Sequence, residues 1–153
     1  MTKLIVKTAL FTLSIIVLVA VFLFGALSVF APKNMATFFD RLDCYSISVY
    51  YYESQYKKTE DYIDLNDLCT AVDEVEDSER AYKYLEILCG HEKFDSFNGG
   101  ENTGMSYHEF FYAKYASSAL TLYGTERAIE IAEEYVKEFG ETKYNPFVIL
   151  GLK

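Results

Sequence analysis

The chain has no tryptophan, only two histidines and only three cysteines, and each scarcity narrows the chemistry available to it. Nucleophilic catalysis needs an imidazole or an equivalent base beside the nucleophile, and only His91 and His108 supply one. Each is followed by a glutamate, as His91-Glu92 and His108-Glu109. Neither an HExxH nor a Glu-x-x-His spacing lines such groups up on one helical face, so no metal ligand set is expected. Cys44, Cys69 and Cys89 are odd in number and contain no CxxC, which excludes a closed disulfide framework and a four-ligand zinc site. Each falls within a helical apolar pattern and reads as a buried thiol. In an oxidising compartment Cys69 and Cys89, on neighbouring predicted helices, are the pair to examine first.

Basic clusters are also missing. Lys57-Lys58 is the only adjacent basic pair, so there is no surface to neutralise a phosphate backbone, and a nucleic-acid partner is not expected. Gly99-Gly100 and Gly104 lack the preceding strand, the lysine and the following helix of a phosphate-binding loop. Carboxylates are plentiful, but nothing in the pattern buries one to raise its pKa. The expectation is no enzyme, no cofactor and no metal.

What is present begins with an apolar run. From Thr8 to Ala31 there are 24 consecutive residues without a charge. As a helix this is roughly 36 Å, enough to cross a hydrocarbon core of about 30 Å with some tilt. Signal-peptide apolar regions run about 7–15 residues, and the nearest small-residue cleavage pattern, Val29-Phe30-Ala31, precedes Pro32. An uncleaved signal anchor over 8–31 is therefore expected, behind a short tail 1–7, with a cleaved signal peptide on a secreted helical protein as the alternative. Lys3 and Lys7 before the span balance Lys33 and Arg41 after it, and the α-amino charge tips the domain toward the extracytoplasmic side.

Residues 32–153 hold 12 basic against 23 acidic side chains, about −11, and form one domain by length. All 14 tyrosines lie after the apolar run, beside 12 phenylalanines in the whole chain. Tyrosine joins a large apolar body to one hydroxyl, which suits helices whose faces are only half buried.

Beyond a short juncture at 32–34, a stripe at Phe38, Leu42, Tyr45, Val49, Tyr52 and Tyr56 predicts one long helix over about 35–58, although Ile47 to Tyr52 has strand propensity of its own. A second helix is predicted over 61–75 with Asp61 as N-cap. Ser78 is read as the cap of a third that ends at Gly90 in a left-handed conformation. Residues 91–106 lose periodicity and read as the flexible loop. Ser106 and Glu109 form an S-x-x-E capping box for a helix over 107–123. Gly124 stops it, Thr125 caps the next, and Gly140 ends that.

Two helix starts, Ser78-Glu79-Arg80-Ala81 and Thr125-Glu126-Arg127-Ala128, share a pattern 47 residues apart. Over 109–140 the chain resembles a tetratricopeptide-type helix pair. Tyr112 stands at the family's first aromatic position, Tyr115 at an apolar one, Ala116 at the small contact position, and Ala128 at the small position of the second helix. Ala119, Ala132 and Tyr135 fill further slots. Gly140 stands where the family's closing proline is expected, and Pro146 follows six residues later. The resemblance implies stacked helical hairpins, a solenoid-like scaffold that binds a protein or peptide on a concave face without catalysis.

The expected architecture is thus all-α: a transmembrane helix, then an interaction domain over 35–153 of about five helices with tetratricopeptide-like pairing. A helical-bundle enzyme or metal-binding protein is the alternative. Candidate partner-binding residues are Phe110, Ala113 and Ser117, placed by the resemblance on the concave side, and Phe147, Ile149 and Leu150 in the apolar tail. That tail either folds back as the domain's own cap or offers an unfinished face to another chain, a second copy included.

Overall fold

The computed structural model describes residues 2–97 and 104–152. Among them are eight helices and no strand: α1 Thr2–Phe30, α2 Pro32–Asp40, α3 Tyr45–Thr59, α4 Tyr62–Asp73, α5 Ser78–Cys89, α6 Tyr107–Tyr123, α7 Thr125–Phe139 and α8 Pro146–Leu150. Local chemistry accounts for most of the boundaries. Asp61 accepts the Ile63 N–H at 2.8 Å, and Ser106 and Glu109 form the full capping box. Gly124 closes α6 and opens α7 by itself, at φ 87° and ψ −174°. Only glycine adopts that backbone readily, and any other residue there would cost about 1–3 kcal/mol.

α1 is long and apolar enough to cross a membrane. Val6–Phe30, 25 residues of mean hydropathy 2.8, has none of its most apolar window buried. It ends at Phe30, before Pro32, because proline disfavours helical geometry in the residue ahead of it. The expected juncture 32–34 is not a linker, however. Pro32 is the first residue of α2, where a missing N–H costs nothing.

The long helix expected over 35–58 is two helices. Asp43 turns left-handed at φ 55°, and the Cys44 N–H closes back on the Phe39 carbonyl at 2.9 Å, ending α2. The chain then reverses so that α2 and α3 pack on each other, which buries Met35, Ala36 and Tyr51 and leaves Phe38 and Leu42 of the expected stripe exposed. The strand-prone Ile47 to Tyr52 is helical throughout. Three caps also differ from expectation. Thr125 is the first residue of α7 and makes no side-chain cap, Gly124 standing in the cap position. Asp77 rather than Ser78 caps α5 by accepting the Arg80 N–H, and Gly90 has an ordinary φ of −84°, its N–H donating to the Glu86 carbonyl.

The main packing runs between sequence neighbours: α2 on α3, α3 on α4, α4 on α5, α5 on α6 and α6 on α7, with α8 folded onto α6 and α7. One apolar cluster threads α3 to α7 around Leu65, Leu68, Leu88, Ile131 and Tyr135. Ala116, Ala119, Ala128 and Ala132 are fully buried, small enough to let α6 and α7 approach closely.

Tyrosine hydroxyls then join helices that the apolar cluster covers only in part. Tyr52 donates to Asp40 (2.8 Å), Tyr84 to Glu53 (2.7 Å) and Tyr107 to Asn66 (2.7 Å), and the hydroxyls of Tyr62 and Tyr107 meet at 2.9 Å. Burial, with the Asp40 carboxylate, pushes the Tyr52 phenol up to about 12, so it stays a donor at any ordinary pH.

The segment expected to be a flexible loop is partly core. Phe94 is fully buried among Tyr107, His108, Tyr112 and Phe139. Residues 98–103 of that loop lie outside the described residues.

Candidate functional site

An open groove of about 430 Å³ lies where the end of α5 and the turn after it face α6 and α7. Its inner side is Cys89, Tyr112 and Tyr115, and its walls are acidic: Glu86 from α5, Glu92 and Asp95 from the turn, Glu134 and Glu138 from α7. Against these five carboxylates stand one guanidinium, Arg127, and one imidazole, His91.

Arg127 is already committed. Its guanidinium reaches Glu130 at 2.7 Å, the Tyr82 hydroxyl at 3.1 Å and the Tyr115 hydroxyl at 3.3 Å, with Glu86 at 3.9 Å. It fastens one end of the groove rather than neutralising it. Tyr112 donates to Glu138 and Tyr115 to Glu86, each at 3.3 Å, so the inner hydroxyls point toward the acidic walls. Burial and the neighbouring Asp95 push the Glu138 carboxyl above its usual value, the expected sign for a desolvated carboxylate beside a like charge.

The histidines do not converge on this groove as a pair. His91 lines it, with its Nδ1 accepting the Lys93 N–H at 3.1 Å and its ring against Tyr62. His108 stacks on Phe139 at 4.6 Å, and its Nε2–H donates to the Phe94 carbonyl at 3.0 Å. Among the described residues no three His, Cys, Asp or Glu side chains gather as a metal site. Cys69 and Cys89 are buried free thiols whose pKa values burial pushes up, away from the reactive thiolate, whereas Cys44, expected to be buried in a helix, is half-buried in the turn between α2 and α3.

The six residues singled out from the sequence fall elsewhere. Phe110 is half-buried against the core, edge-on to Phe111, with Lys114 Nζ 5.6 Å from its ring centre. Ala113 is buried. Ser117 lines a smaller recess of about 190 Å³, beside which Lys114 pairs with Asp73 at 2.7 Å. In the tail, Phe147 and Leu150 pack with Leu152 on Ala128 and Ala132, while Ile149 and its neighbour Val148 face outward. The tail therefore covers the end of the α6–α7 hairpin.

The acidic groove was missed in the sequence. One signal for it was present: Glu130, Glu134 and Glu138 recur every four residues and so share one face of α7. Comparison with protein-family models, with curated proteins and with solved structures returned no match.

Proposed function

We propose that the chain is a single-pass membrane protein whose helical domain is an interaction module, with tetratricopeptide-like pairing and an acidic groove that takes a basic segment of a partner protein. The observation that carries the reading is α1. Its apolar window is unburied on every side, whereas α4 to α7 bury a continuous core, and an all-round apolar helix left outside a core belongs in lipid. The junction favours an anchor that is kept. Ser28 Oγ meets the Tyr51 hydroxyl at 2.8 Å, Lys58 Nζ donates to the Val29 carbonyl, and the Phe24 ring packs edge-on against Phe39 at 6.2 Å. Cleavage after Ala31 would cut through this packed corner. Lys58 also satisfies one of the carbonyls orphaned at the end of α1 and sits at the negative pole of its dipole.

Packing between sequence neighbours supports the solenoid-like reading, since each helix then buries its face chiefly on the next. The excess of groove carboxylates supports a cationic partner segment. An extracytoplasmic domain, with Lys3 and Lys7 on the cytoplasmic side, is part of the proposal.

Topology is tested with Ser96→Cys in a Cys44→Ser background, because Ser96 is exposed while Cys69 and Cys89 are buried. The expected outcome is that alkaline carbonate leaves the protein in the membrane pellet and that an impermeant maleimide labels the introduced thiol in intact cells. Release by carbonate would overturn the anchor, and labelling only after lysis would reverse the orientation.

The groove is tested separately. A photo-crosslinking residue at Glu134 is expected to capture a partner that one at Glu79, on the exposed side of the first turn of α5, does not. Reversing two other groove charges with Glu92→Lys and Glu138→Lys should abolish that capture. Equal capture from both positions would remove the groove from the proposal.

A further inference from the structure

The tip of the α2–α3 hairpin carries a set of exposed apolar side chains that the interaction reading does not use. Phe38 (49%), Leu42 (53%), Ile47 (45%) and Tyr50 (63%) are all solvent-facing within thirteen residues. Their position relative to α1 gives them a meaning. Phe39, in the last turn of α2, packs against Phe24, which lies six residues and so about 9 Å before the end of α1. Tyr51 stacks on Phe39 at 5.8 Å and bonds to Ser28, so α3 is drawn to the same flank. The hairpin thus folds back alongside the last turns of α1 instead of rising away from it.

We propose that this hairpin tip is seated in the lipid interface of the leaflet where α1 ends, so that the domain stands on the membrane at two points. The inference rests on α1 being a membrane span. If Phe24 lies in or near the hydrocarbon, then Phe38 and Leu42, flanking the Phe39 ring that touches it, lie at the depth where headgroups meet acyl chains. Leaving this patch in water would cost apolar area, whereas the interface accepts it together with the amphipathic tyrosines.

The charges nearby are compatible with shallow seating. Arg41 makes no ion pair among the described residues and has a long stem that can reach the headgroups. The Asp40 carboxylate accepts from Tyr52 and that of Asp43 accepts from Tyr45, both at 2.8 Å. With two acids against one base, the tip has no electrostatic demand for anionic lipid. Phosphatidylcholine is the partner it fits.

The absence of tryptophan makes the test clean. Three single-tryptophan variants of the full chain, Leu42→Trp, Phe22→Trp within α1, and Tyr123→Trp at the exposed end of α6, are placed one per nanodisc in phosphatidylcholine. Emission is compared with and without acyl chains brominated near the carbonyl end, and under aqueous acrylamide.

For Leu42→Trp the expected result is a blue-shifted emission, loss of most intensity to the brominated lipid, and weak quenching by acrylamide. Tyr123→Trp should show the reverse. If Leu42→Trp is quenched by acrylamide as readily as Tyr123→Trp and stays bright in brominated lipid, the seating is overturned. Shielding from both agents overturns it too, because protein rather than lipid then covers the tip. Phe22→Trp separates the two readings: if it too escapes brominated chains of any depth, the spanning helix itself fails.

Discussion

Phe94→Ala is expected to destabilise the domain by about 3–5 kcal/mol, the usual cost of emptying a fully buried aromatic site. Phe94 is 0% exposed, with ring centres of Tyr107, His108, Tyr112 and Phe139 between 5.0 and 6.3 Å away. Its backbone is equally occupied. The Phe94 N–H donates to the His91 carbonyl at 2.8 Å, and its own carbonyl accepts from His108 Nε2. Removing the ring leaves a void at the meeting point of the turn after α5 with α6 and α7, and rigid helices cannot all close on it.

Urea unfolding of the full chain in detergent, followed by circular dichroism, measures the loss. A drop in melting temperature of roughly 10–20 °C should accompany it. The acidic groove shares this turn, so the variant should also lose capture through Glu134. A cost below about 1 kcal/mol would mean that the turn is peripheral to the core.

Glu109→Ala is the second large effect, about 2–3 kcal/mol at neutral pH, as both a cap and a buried charge-assisted hydrogen bond disappear. The side chain is nearly buried, accepts the Ser106 N–H at 2.7 Å and accepts the Tyr144 N–H at 3.3 Å. It therefore holds the start of α6 and the approach to the tail together. Asn145 continues that link by accepting the Val148 N–H and capping α8.

Burial by itself would raise the Glu109 carboxyl. Hydrogen bonds from Thr142, Ser106 and Tyr144 outweigh that and hold its pKa below the ordinary value. A carboxylate lowered on folding stabilises in full above its unfolded pKa of about 4.3, and that contribution disappears as pH falls through the lower folded value. Glu109→Gln should accordingly be less stable than the parent at pH 7, with the difference closing below about pH 4. Asp64 shifts in the same direction, because burial is overridden by Lys33, Gln55 and Thr59, so the parent keeps a second acid-sensitive contribution. Only the difference between the two proteins reports on Glu109. A gap that stays constant from pH 7 to pH 3 would show that the carboxylate charge contributes nothing.

Much of the helical order was legible because the signals for it are local. The length of the apolar run, the Asp61 cap, the Ser106–Glu109 box and the glycines at 124 and 140 each depend on residues within one or two turns. The α2–α3 break was not legible. The Phe38–Leu42–Tyr45 stripe continues through it, and the reversal at Asp43 is favoured by packing between two helices whose partnership no short window contains. Phe94 failed for the same reason, since a phenylalanine in an aperiodic stretch reads as loop until His108, Tyr112 and Phe139 are brought around it.

The sequence by itself determined that this is a helical chain with one N-terminal segment able to cross a membrane, and it marked most of the places where the helices start and stop. Tertiary structure decided what the side chains do. It turned tyrosine hydroxyls from a compositional excess into links between helices, gathered carboxylates from α5, the following turn and α7 into one groove, seated the tail on Ala128 and Ala132, and folded the α2–α3 hairpin back along α1. The physical reason is range. Backbone conformation follows from nearest neighbours and dihedral preference, while a groove or a buried ring requires residues tens of positions apart to converge, and only the whole packed chain sets that convergence.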